Sequence, residues 1–359
     1  MKSDHRAWVE IDLGALLKNG KELAQRAGVP LLPMVKSDAY GLGVEHVIPA
    51  LERLNPWGYG VSCVEEGAQL RQLGINRPVL IFTPLLTEDF GDVRAHRLTP
   101  TFGDATRIRA WRESGGGPWH LAVDTGMSRA GIPWRQVPEL RSELEKEPPE
   151  GAFTHFHSAD ANDDSMIIQQ QRFNDALASV PSRPRYLHAE NSPAIERRSP
   201  SPWNLARPGV VLYGVGGAAG SAMHPHAVAS LRARIVEIRE VAEGDTVSYN
   251  ATWKAQRPCR IATAAAGYAD GVRRSLSNCG VALVNGQRAS VAGVVTMDMT
   301  MLDVTNVDCR VGDVATLLGR DGDDEITIAE VAERSGLSPY ELLVGLRLRA
   351  PRVYRGLDA

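Results

Sequence analysis

The sequence has few cysteines, and none of them lies in a paired motif. Four occur in 359 residues, at Cys63, Cys259, Cys279 and Cys309, and no Cys-x-x-Cys spacing is present. A chain of this length with so few cysteines does not carry a disulfide framework. We therefore expect four reduced, partly buried thiols.

Long apolar runs and blocks of single-sign charge are also missing. No run approaches the roughly 18 apolar residues of a membrane span, and the charged start, with Lys2, Asp4 and Arg6, does not resemble a signal peptide. The 40 basic and 43 acidic residues leave a formal charge of -3, which does not favour nucleic acid or membrane as a partner. These absences predict a cytoplasmic protein that acts on a small molecule.

The chain is long enough, and with 43% hydrophobic residues apolar enough, to form two domains with a large core. Its first half repeats a short apolar run followed by an amphipathic stretch such as Val44–Leu54 or Ser165–Val180, the pattern of strand-helix units in a parallel sheet. About eight runs occur, as a (β/α)8 TIM-type barrel requires. The predicted strands are Leu31–Val35, Gly58–Val64, Val79–Thr83, Thr99–Phe102, His120–Asp124, Ala152–Phe156, Arg185–His188 and Val210–Tyr213.

From about Ala227 closely spaced strand-like segments predict a C-terminal, mainly antiparallel β domain, with Asn285-Gly286 as a hairpin turn. Ala7–Leu13 would be a ninth barrel strand, so we assign it to this domain instead. The expected domains are therefore residues 1–14 packing with the C-terminal domain, 15–226 as the barrel, and 227–359 as the β domain. The predicted strands are Ala233–Val241, Thr246–Trp253, Cys259–Ala265, Val281–Val284, Ser290–Val295 and Val314–Leu318, with helices at Ile328–Ser335 and Pro339–Leu348.

Reactive side chains follow several of the predicted barrel strands. Catalytic residues of such barrels project from the carboxyl ends of the strands. Each side chain taken alone is more typical of a solvated residue or a loop, but their shared position at strand ends favours one site. The set comprises Lys36, Arg129, His155, Asn191, Ser192 and Arg207.

Lys36 is the residue of this set with the most informative surroundings. The apolar neighbours Met34 and Val35 disfavour its ammonium form, which makes the amine available for a Schiff base with an aldehyde. Pyridoxal phosphate is the usual aldehyde of this kind. Its phosphate needs hydroxyls and backbone N–H groups, which Asn191-Ser192 and the Arg207–Val210 turn could provide near the last strands.

The segment Val35-Lys-Ser-Asp-Ala-Tyr-Gly41 closely resembles the cofactor-lysine motif of alanine racemases, which are fold-type III pyridoxal-phosphate enzymes. Matching blocks continue in order through both predicted domains. They are Trp8–Leu13, Asp124–Gly131, Thr154–Phe156 with Ala159-Asp160, Asn191-Ser192, Arg207–Gly209, Leu212–Gly214, Val247–Tyr249, Gly267–Gly271, Met297-Asp298 and Pro351–Tyr354.

The resemblance implies how pyridoxal phosphate is held. Lys36 would carry the cofactor, His155 would lie against its ring, and Arg207 would bond the ring nitrogen. Since arginine does not readily release a proton, the nitrogen would stay unprotonated and the cofactor would be a weaker electron sink. The residues implied at the phosphate are Tyr40, Ser192, Gly209, Val210 and Tyr354. No metal is expected.

The resemblance also implies the reaction, the interconversion of L-alanine and D-alanine that supplies D-alanine for peptidoglycan. Lys36 and Tyr249 would exchange the α-proton on opposite faces, with Tyr249 tuned through His155 and Arg207. Arg129 and the Met297 N–H would bind the substrate carboxylate, and Tyr268 and Asp298 would support the site. Family members pair head to tail, so we expect a homodimer in which each site borrows its tyrosine.

Several positions depart from the family pattern. Many members have a lysine where this chain has Ala122, and that lysine can be carbamylated to support the arginine, so Arg129 needs another support. Leu42 replaces a frequent histidine, and Glu190 precedes Asn191. Asn250 and Trp253 replace a usual glycine and tyrosine. These changes leave the chemistry intact and leave substrate preference and rate open.

Three other functions stay open on sequence. A racemase of the same fold acting on serine or a broader set of amino acids is the nearest, because the pocket walls near Tyr268 and Met297 set the side-chain size. A decarboxylase with the same cofactor is disfavoured by the Tyr249 and Met297-Asp298 blocks. A non-catalytic carrier of pyridoxal phosphate would need neither Tyr249 nor a second domain.

Overall fold

The computed structural model of the protein describes residues 4–216, 218, 220–346 and 349–357. The strands are β1 (Ala7–Asp12), β2 (Tyr59–Val61), β3 (Val79–Ile81), β4 (Thr101–Phe102), β5 (His120–Asp124), β6 (Ile132–Pro133), β7 (Gly151–Phe153), β8 (Tyr186–His188), β9 (Ala229–Val241), β10 (Thr246–Val247), β11 (Trp253–Lys254), β12 (Cys259–Ala264), β13 (Val281–Val284), β14 (Gln287–Val291), β15 (Thr300–Asp303), β16 (Val314–Asp321), β17 (Asp324–Ile326) and β18 (Arg352–Arg355).

The α-helices are α1 (Leu13–Ala27), α2 (Lys36–Tyr40), α3 (Val44–Glu52), α4 (Val64–Gln72), α5 (Phe90–Ala95), α6 (Ala105–Glu113), α7 (Arg141–Lys146), α8 (Ser165–Ala178), α9 (Ser192–Arg197), α10 (Ile328–Ser335) and α11 (Pro339–Gly345). Short 3-10 helices span Thr87–Asp89, Trp134–Leu140, Tyr249–Ala251, Tyr268–Asp270 and Arg274–Leu276. The predicted helix Pro339–Leu348 is observed as α11, and its last two predicted residues lie outside the described ones, as do residues 1–3 of the predicted N-terminal segment.

Parallel pairing in the first half of the chain closes a barrel. Strand β2 pairs with β3, and β4, β5, β7 and β8 pair in that order. Parallel bridges join Met34 to Gly60 and Leu80 to Thr99, and a bridge from Leu31 to Ala206 returns to the start. The described residues thus contain eight segments that pair side by side around the barrel, and we call these segments staves. Residues 31–35 form the first stave and residues 205–208 the last. The predicted barrel is confirmed.

The eighth stave does not lie where the sequence pattern predicts it. The apolar run Val210–Tyr213 forms a turn in which the amide of Leu212 donates to the carbonyl of Gly209 over 2.9 Å. The stave is the preceding segment, where the amide of Arg207 donates to Glu190 O over 2.9 Å. The prediction of Val210–Tyr213 as a strand is wrong because burial alone does not distinguish a buried turn from a buried strand.

The second half of the chain forms a nine-stranded sheet, in the order β17-β16-β13-β14-β15-β12-β9-β1-β18. Nearly all neighbours are antiparallel, and the long strand β9 pairs with β1, β12 and β16. The first strand of the chain therefore lies in this sheet, between β9 and β18. The hairpin β13–β14 turns at Asn285 and Gly286, whose φ angles of 50° and 75° fit the type I′ turn predicted for this pair.

Three parts of the β domain differ from the predicted strands. The strand predicted at Ser290–Val295 is observed as β14, Gln287–Val291, and residues 292–295 lie outside it. Thr246–Trp253 is not one strand, since β10 and β11 are its two ends and the 3-10 turn that carries Tyr249 lies between them. Strands β15, β17 and β18 were not predicted, because each has only three or four residues and offers too few positions for a periodic pattern. None of the helices in the described ranges is long and apolar enough to cross a membrane.

Candidate active site

Lys36 begins a helical turn of unusual hand. Ser37, Asp38, Ala39 and Tyr40 all have φ angles between 53° and 57°, which is the left-handed region. Left-handed helical backbone costs roughly 1–2 kcal/mol per residue other than glycine. Four such residues in succession persist only because their surroundings hold them, and strain of this kind is concentrated at functional sites.

Two carboxylates hold the Lys36 turn. The Glu66 oxygens accept from the amides of Ser37 (2.6 Å) and Ser62 (2.7 Å), which ties the turn to the end of the second stave. Asp38 accepts from the amide of Val44 over 2.8 Å and pairs with Arg352 of β18 over 2.8 Å. Sequence reasoning found neither role, since no local pattern indicates which carboxylate meets which amide.

The environment of Lys36 favours a neutral amine. Burial and the positive charge of Arg129 lower the pKa of Lys36, and the carboxylate of Glu66 only partly offsets them. A neutral amine is the form that attacks an aldehyde or accepts a proton. The availability of this amine, predicted from the apolar neighbours, therefore has a structural basis.

A cavity of about 400 Å³ opens beside Lys36 at the mouth of the barrel. Its wall combines aromatic, hydroxyl and cationic side chains from α11 and from six of the staves and the loops after them. The lining residues are Met34, Lys36, Ser37, Tyr40, Phe82, Arg129, His155, Asn191, Ser192, Pro193, Arg207, Gly209, Val210, Tyr340 and Val344. Eight of the nine residues predicted to contact pyridoxal phosphate are thus brought together.

Hydroxyl groups cluster on one part of this wall. Ser192 Oγ accepts from the amide of Gly209 over 2.7 Å, so its proton can be donated into the cavity. A Cβ on Gly209 would lie 2.6 Å from the hydroxyl of Tyr40, so a side chain there would displace that hydroxyl. Burial raises the pKa of Tyr40, which keeps it a hydrogen-bond donor. These donors, with the aldehyde-reactive lysine, fit pyridoxal phosphate.

Tyr340 joins this cluster, and Tyr354 does not. The Tyr340 ring on α11 lies 6.3 Å from the ring of Tyr40 and lines the cavity. Tyr354 instead donates its hydroxyl to Leu42 O over 3.0 Å and stacks on His46 with 3.8 Å between the rings. It lies on β18, which runs beside β1 behind the Lys36 turn. Tyr354, which was predicted to contact the phosphate, is therefore not among the residues that line this cavity, whereas Tyr340, which the family motifs quoted above did not include, does line it.

Arg207 is fixed by acceptors on neighbouring staves. It is 3% exposed, and Nη1 and Nη2 donate to the carbonyls of His188 (2.7 Å), Thr154 (2.7 Å) and Ala189 (3.0 Å). Nη1 also donates to His188 Nδ1 over 2.8 Å, so His188 carries its proton on Nε2 and donates it to His120 over 2.8 Å. Burial lowers the pKa of Arg207 to about 9, and the group stays cationic at neutral pH.

His155 is a neutral histidine with an assignable tautomer. Burial, followed by the charges of Arg207, Arg129 and Lys36, lowers the pKa of His155 to about 3. Arg207 Nη2 lies 3.4 Å from His155 Nδ1. Since a guanidinium can only donate, Nδ1 accepts and the ring proton lies on Nε2. Arg207 and His155 are thus adjacent, as a relay between them requires, and the Nε2–H of His155 is a donor.

Arg129 stands beside a second cavity. Asp124 Oδ1 accepts from three successive amides, those of Gly126, Met127 and Ser128, and this fixes the loop that carries Arg129. A cavity of about 580 Å³ is lined by both Arg129 and Ala122, the position at which the resemblance led us to look for a lysine. Among the described residues no carboxylate pairs with Arg129, so its side chain is available to an anionic substrate.

The predicted site residues of the β domain lie apart from both cavities. Tyr249 is 68% exposed, Met297 52% and Tyr268 39%, and none of the three lines either cavity. Asp298 pairs with Arg349 over 2.7 Å. One chain therefore does not bring Tyr249 to Lys36, although the two were predicted to act on the same carbon.

Glu190 is a buried acid outside the predicted chemistry. It is 0% exposed, and no hydrogen bond of normal geometry reaches either carboxyl oxygen from the described residues. Burial raises the pKa of Glu190, and Ser201, Arg198 and Arg207 only partly oppose this effect. An ionised carboxylate without full pairing is costly in such a place.

Glu190 should therefore make stability fall as pH rises. Its raised folded-state pKa means that the native chain keeps the proton where the unfolded chain has lost it, so the free energy of unfolding decreases from about pH 4.3 up to the folded-state pKa. Glu190→Gln should flatten this decrease and stabilise the protein by about 1 kcal/mol at pH 7. Chemical unfolding at several pH values measures it, with the exposed Glu243→Gln as control. Parallel curves for Glu190→Gln and the parent protein would contradict the assignment.

Comparison with known proteins gives one consistent result. The sequence models described as "Alanine racemase, N-terminal domain" and "Alanine racemase, C-terminal domain" match residues 11–216 and 228–354. An alanine racemase of Citrifermentans bemidjiense is 40% identical, over 97% of this chain and 98% of that protein.

Solved structures agree with the sequence matches. The structure of an alanine racemase from E. faecalis has a TM-score of 0.92 at 29% identity, covering 99% of this chain and 100% of that one. An alanine racemase from Bartonella henselae with covalently bound pyridoxal phosphate has a TM-score of 0.91 at 27% identity, covering 98% and 100%.

Proposed function

The chain belongs to the alanine racemase family, and on that premise we propose that it interconverts L-alanine and D-alanine with Lys36 and Tyr249 as its two bases. The observation that carries the proposal is the Lys36 amine, held in a left-handed turn at the edge of a cavity whose wall is rich in hydroxyl donors. Pyridoxal phosphate, when bound to Lys36, supplies the electron-withdrawing group that acidifies the substrate's α-carbon.

Different residues of the cavity would bind different parts of that cofactor. The hydroxyls of Tyr40, Ser192 and Tyr340 would bind its phosphate, and Arg207 and His155 would hold its ring. Because Arg207 is fixed by three backbone carbonyls, it can keep its proton while it donates to an acceptor in the cavity. Arg129, without a carboxylate partner of its own, would orient the substrate carboxylate.

Lys36 and Tyr249 would move the proton on opposite faces of the α-carbon. The lowered pKa of Lys36 favours the neutral form of the amine, in which Nζ can accept a proton. Tyr249 Oη would act on the other face, and the Nε2–H of His155 would donate to it and stabilise its phenolate form. The polar chain from His188 through Arg207 to His155 fixes the direction of that N–H.

Tyr249 would reach Lys36 from a second copy of the chain. Within one chain Tyr249, Tyr268 and Met297 form an exposed group on the β domain, while the barrel mouth offers the cavities they would cover. Exposed aromatic and methionine side chains in one patch are typical of an interface. A two-fold head-to-tail homodimer would complete two equal sites. We also propose a cytoplasmic location and a role in supplying D-alanine for peptidoglycan.

Deuterium exchange tests the reaction and the two bases together. In deuterated solvent the enzyme should place deuterium at Cα of both L-alanine and D-alanine, and more slowly at Cα of serine. In Tyr249→Phe, α-proton loss from L-alanine should slow at least about tenfold more than loss from D-alanine, because only one face loses its acid-base group. The half-buried Tyr186, which lies at the amino end of β8 and thus at the opposite end of the barrel strands, is changed to Phe as control. Equal slowing from both enantiomers would refute the assignment of Tyr249.

A further inference from the structure

The turn that carries Tyr249 is strained at the residue before it. Ser248 has φ 67° and ψ -173°, a combination that is essentially restricted to glycine. Asn250 and Ala251 follow with φ angles of 62° and 50°. The tyrosine is thus presented by a conformation that the chain would not adopt without contacts to hold it.

A short hydrogen bond holds Ser248 in this conformation. Its Oγ donates to Val294 O over 2.6 Å. The two backbones are also in direct contact, since a Cβ on Gly293 would lie 2.5 Å from Val247 O and 2.8 Å from the Cβ of Ser248. The hydroxyl therefore joins the Tyr249 turn to the segment that begins at Gly293.

That segment leads directly to the other partner-facing residues. Thr296 O accepts from the amide of Tyr268 over 3.0 Å, and Met297 O accepts from the amide of Ala269 over 3.1 Å. The Met297 N–H has no acceptor among the described residues, so it can be donated to a ligand. One continuous hydrogen-bonded platform thus carries Tyr249, Tyr268 and Met297.

Apolar packing holds the two ends of the Tyr249 turn, and the hydroxyl of Ser248 holds its middle. Val247 is buried in a small core, separate from the main one, against which Trp253 packs. Asn278 also donates to Thr252 over 3.1 Å and accepts from the amide of Gly293 over 2.7 Å. Among these contacts, the hydrogen bond of Ser248 is the nearest in sequence to Tyr249. Loss of this hydrogen bond should therefore make Tyr249 more mobile without unfolding the domain.

We propose that Ser248 is a positioning residue, whose hydrogen bond to Val294 sets the direction of Tyr249 relative to the Met297 segment. This inference rests on the proposed function of Tyr249. The Tyr249 hydroxyl and the free Met297 N–H then keep a fixed spacing when they contact the barrel of a second copy. The distance between Tyr249 and the substrate's α-carbon is therefore set by contacts within the chain that carries Tyr249. Misplacement of a reacting group by about 1 Å can cost a hundredfold in rate.

The test compares two ways of removing the hydroxyl. Ser248→Ala removes the bond and keeps the strain, whereas Ser248→Gly removes the bond and relieves the strain. Both should slow deuterium exchange into L-alanine by about tenfold and exchange into D-alanine by less than about twofold. The midpoint of thermal unfolding should change by no more than about 2 °C in Ser248→Gly. Ser290→Ala, an exposed serine on β14 of the same sheet, is the matched control.

A second measurement does not depend on catalysis. Amide hydrogen exchange, followed by mass spectrometry, should speed up in the peptide 247–253 of both variants and not in Ser290→Ala. Normal exchange into L-alanine by Ser248→Gly, or equal slowing for both enantiomers, would overturn the positioning role. If Tyr249→Phe slows exchange mainly for L-alanine but the Ser248 variants slow it equally for both enantiomers, only the inference about Ser248 is refuted. If Tyr249→Phe slows exchange equally for both enantiomers, the two-base proposal is refuted, and the inference about Ser248 is refuted with it.

Discussion

Lys36→Ala should lower racemisation of alanine by at least about a thousandfold, since the variant loses both the covalent attachment of the cofactor and one acid-base group. The sequence has only six lysines, at Lys2, Lys18, Lys21, Lys36, Lys146 and Lys254. Among the described residues Lys36 is the lysine that lines the cavities at the barrel mouth. No neighbouring amine is therefore placed to replace it.

Borohydride reduction measures the attachment apart from the rate. Reduction of the holoenzyme should fix pyridoxal phosphate covalently to the peptide that contains Lys36, and peptide mapping should find no label there in Lys36→Ala. The matched control is Lys18→Ala, which removes an exposed lysine on α1 and should leave rate and labelling unchanged. A labelled peptide around another lysine in the parent protein would contradict the assignment.

The sequence predicted the parts of this site that depend on strand ends. Lys36, His155 and Ser192 each follow a barrel stave, Arg207 lies near the end of the last stave, and the parallel staves bring all four to one cavity. Such positions can be predicted because the carboxyl ends of parallel strands meet at the same side of a barrel. Helix α10 has the bounds predicted for it, and in the structure the Thr327 side chain caps its first turn by accepting from the amide of Glu330.

The parts that sequence reasoning missed depend on contacts between distant segments. The position of Tyr340, and not Tyr354, in the cavity wall follows from the packing of α11 on the Lys36 turn, which no local pattern encodes. The roles of Glu66 and Arg352 follow from a left-handed turn formed by residues other than glycine. Sequence rules assign that conformation to glycine or asparagine, so the residue types at Ser37–Tyr40 do not predict it.

The last expectation concerns the second copy of the chain. If each site takes Lys36 from one copy and Tyr249 from the other, two inactive variants should restore each other's activity when they are refolded together. In a mixed dimer of Lys36→Ala and Tyr249→Phe, one site collects both lesions and the other collects neither. With random mixing about half the dimers are mixed, so roughly one quarter of all sites should be intact.

The recovered activity should therefore approach a quarter of the parent enzyme's. A control mixture of Lys36→Ala with the doubly changed Lys36→Ala, Tyr249→Phe chain should recover nothing, because no site in it has Lys36. If both residues served one site from a single chain, every site in the first mixture would also carry a lesion, and its activity would stay at the mean of its parents. The exposure of Tyr249 and its absence from the cavity that holds Lys36 favour the shared arrangement, and the size of the recovery distinguishes the two.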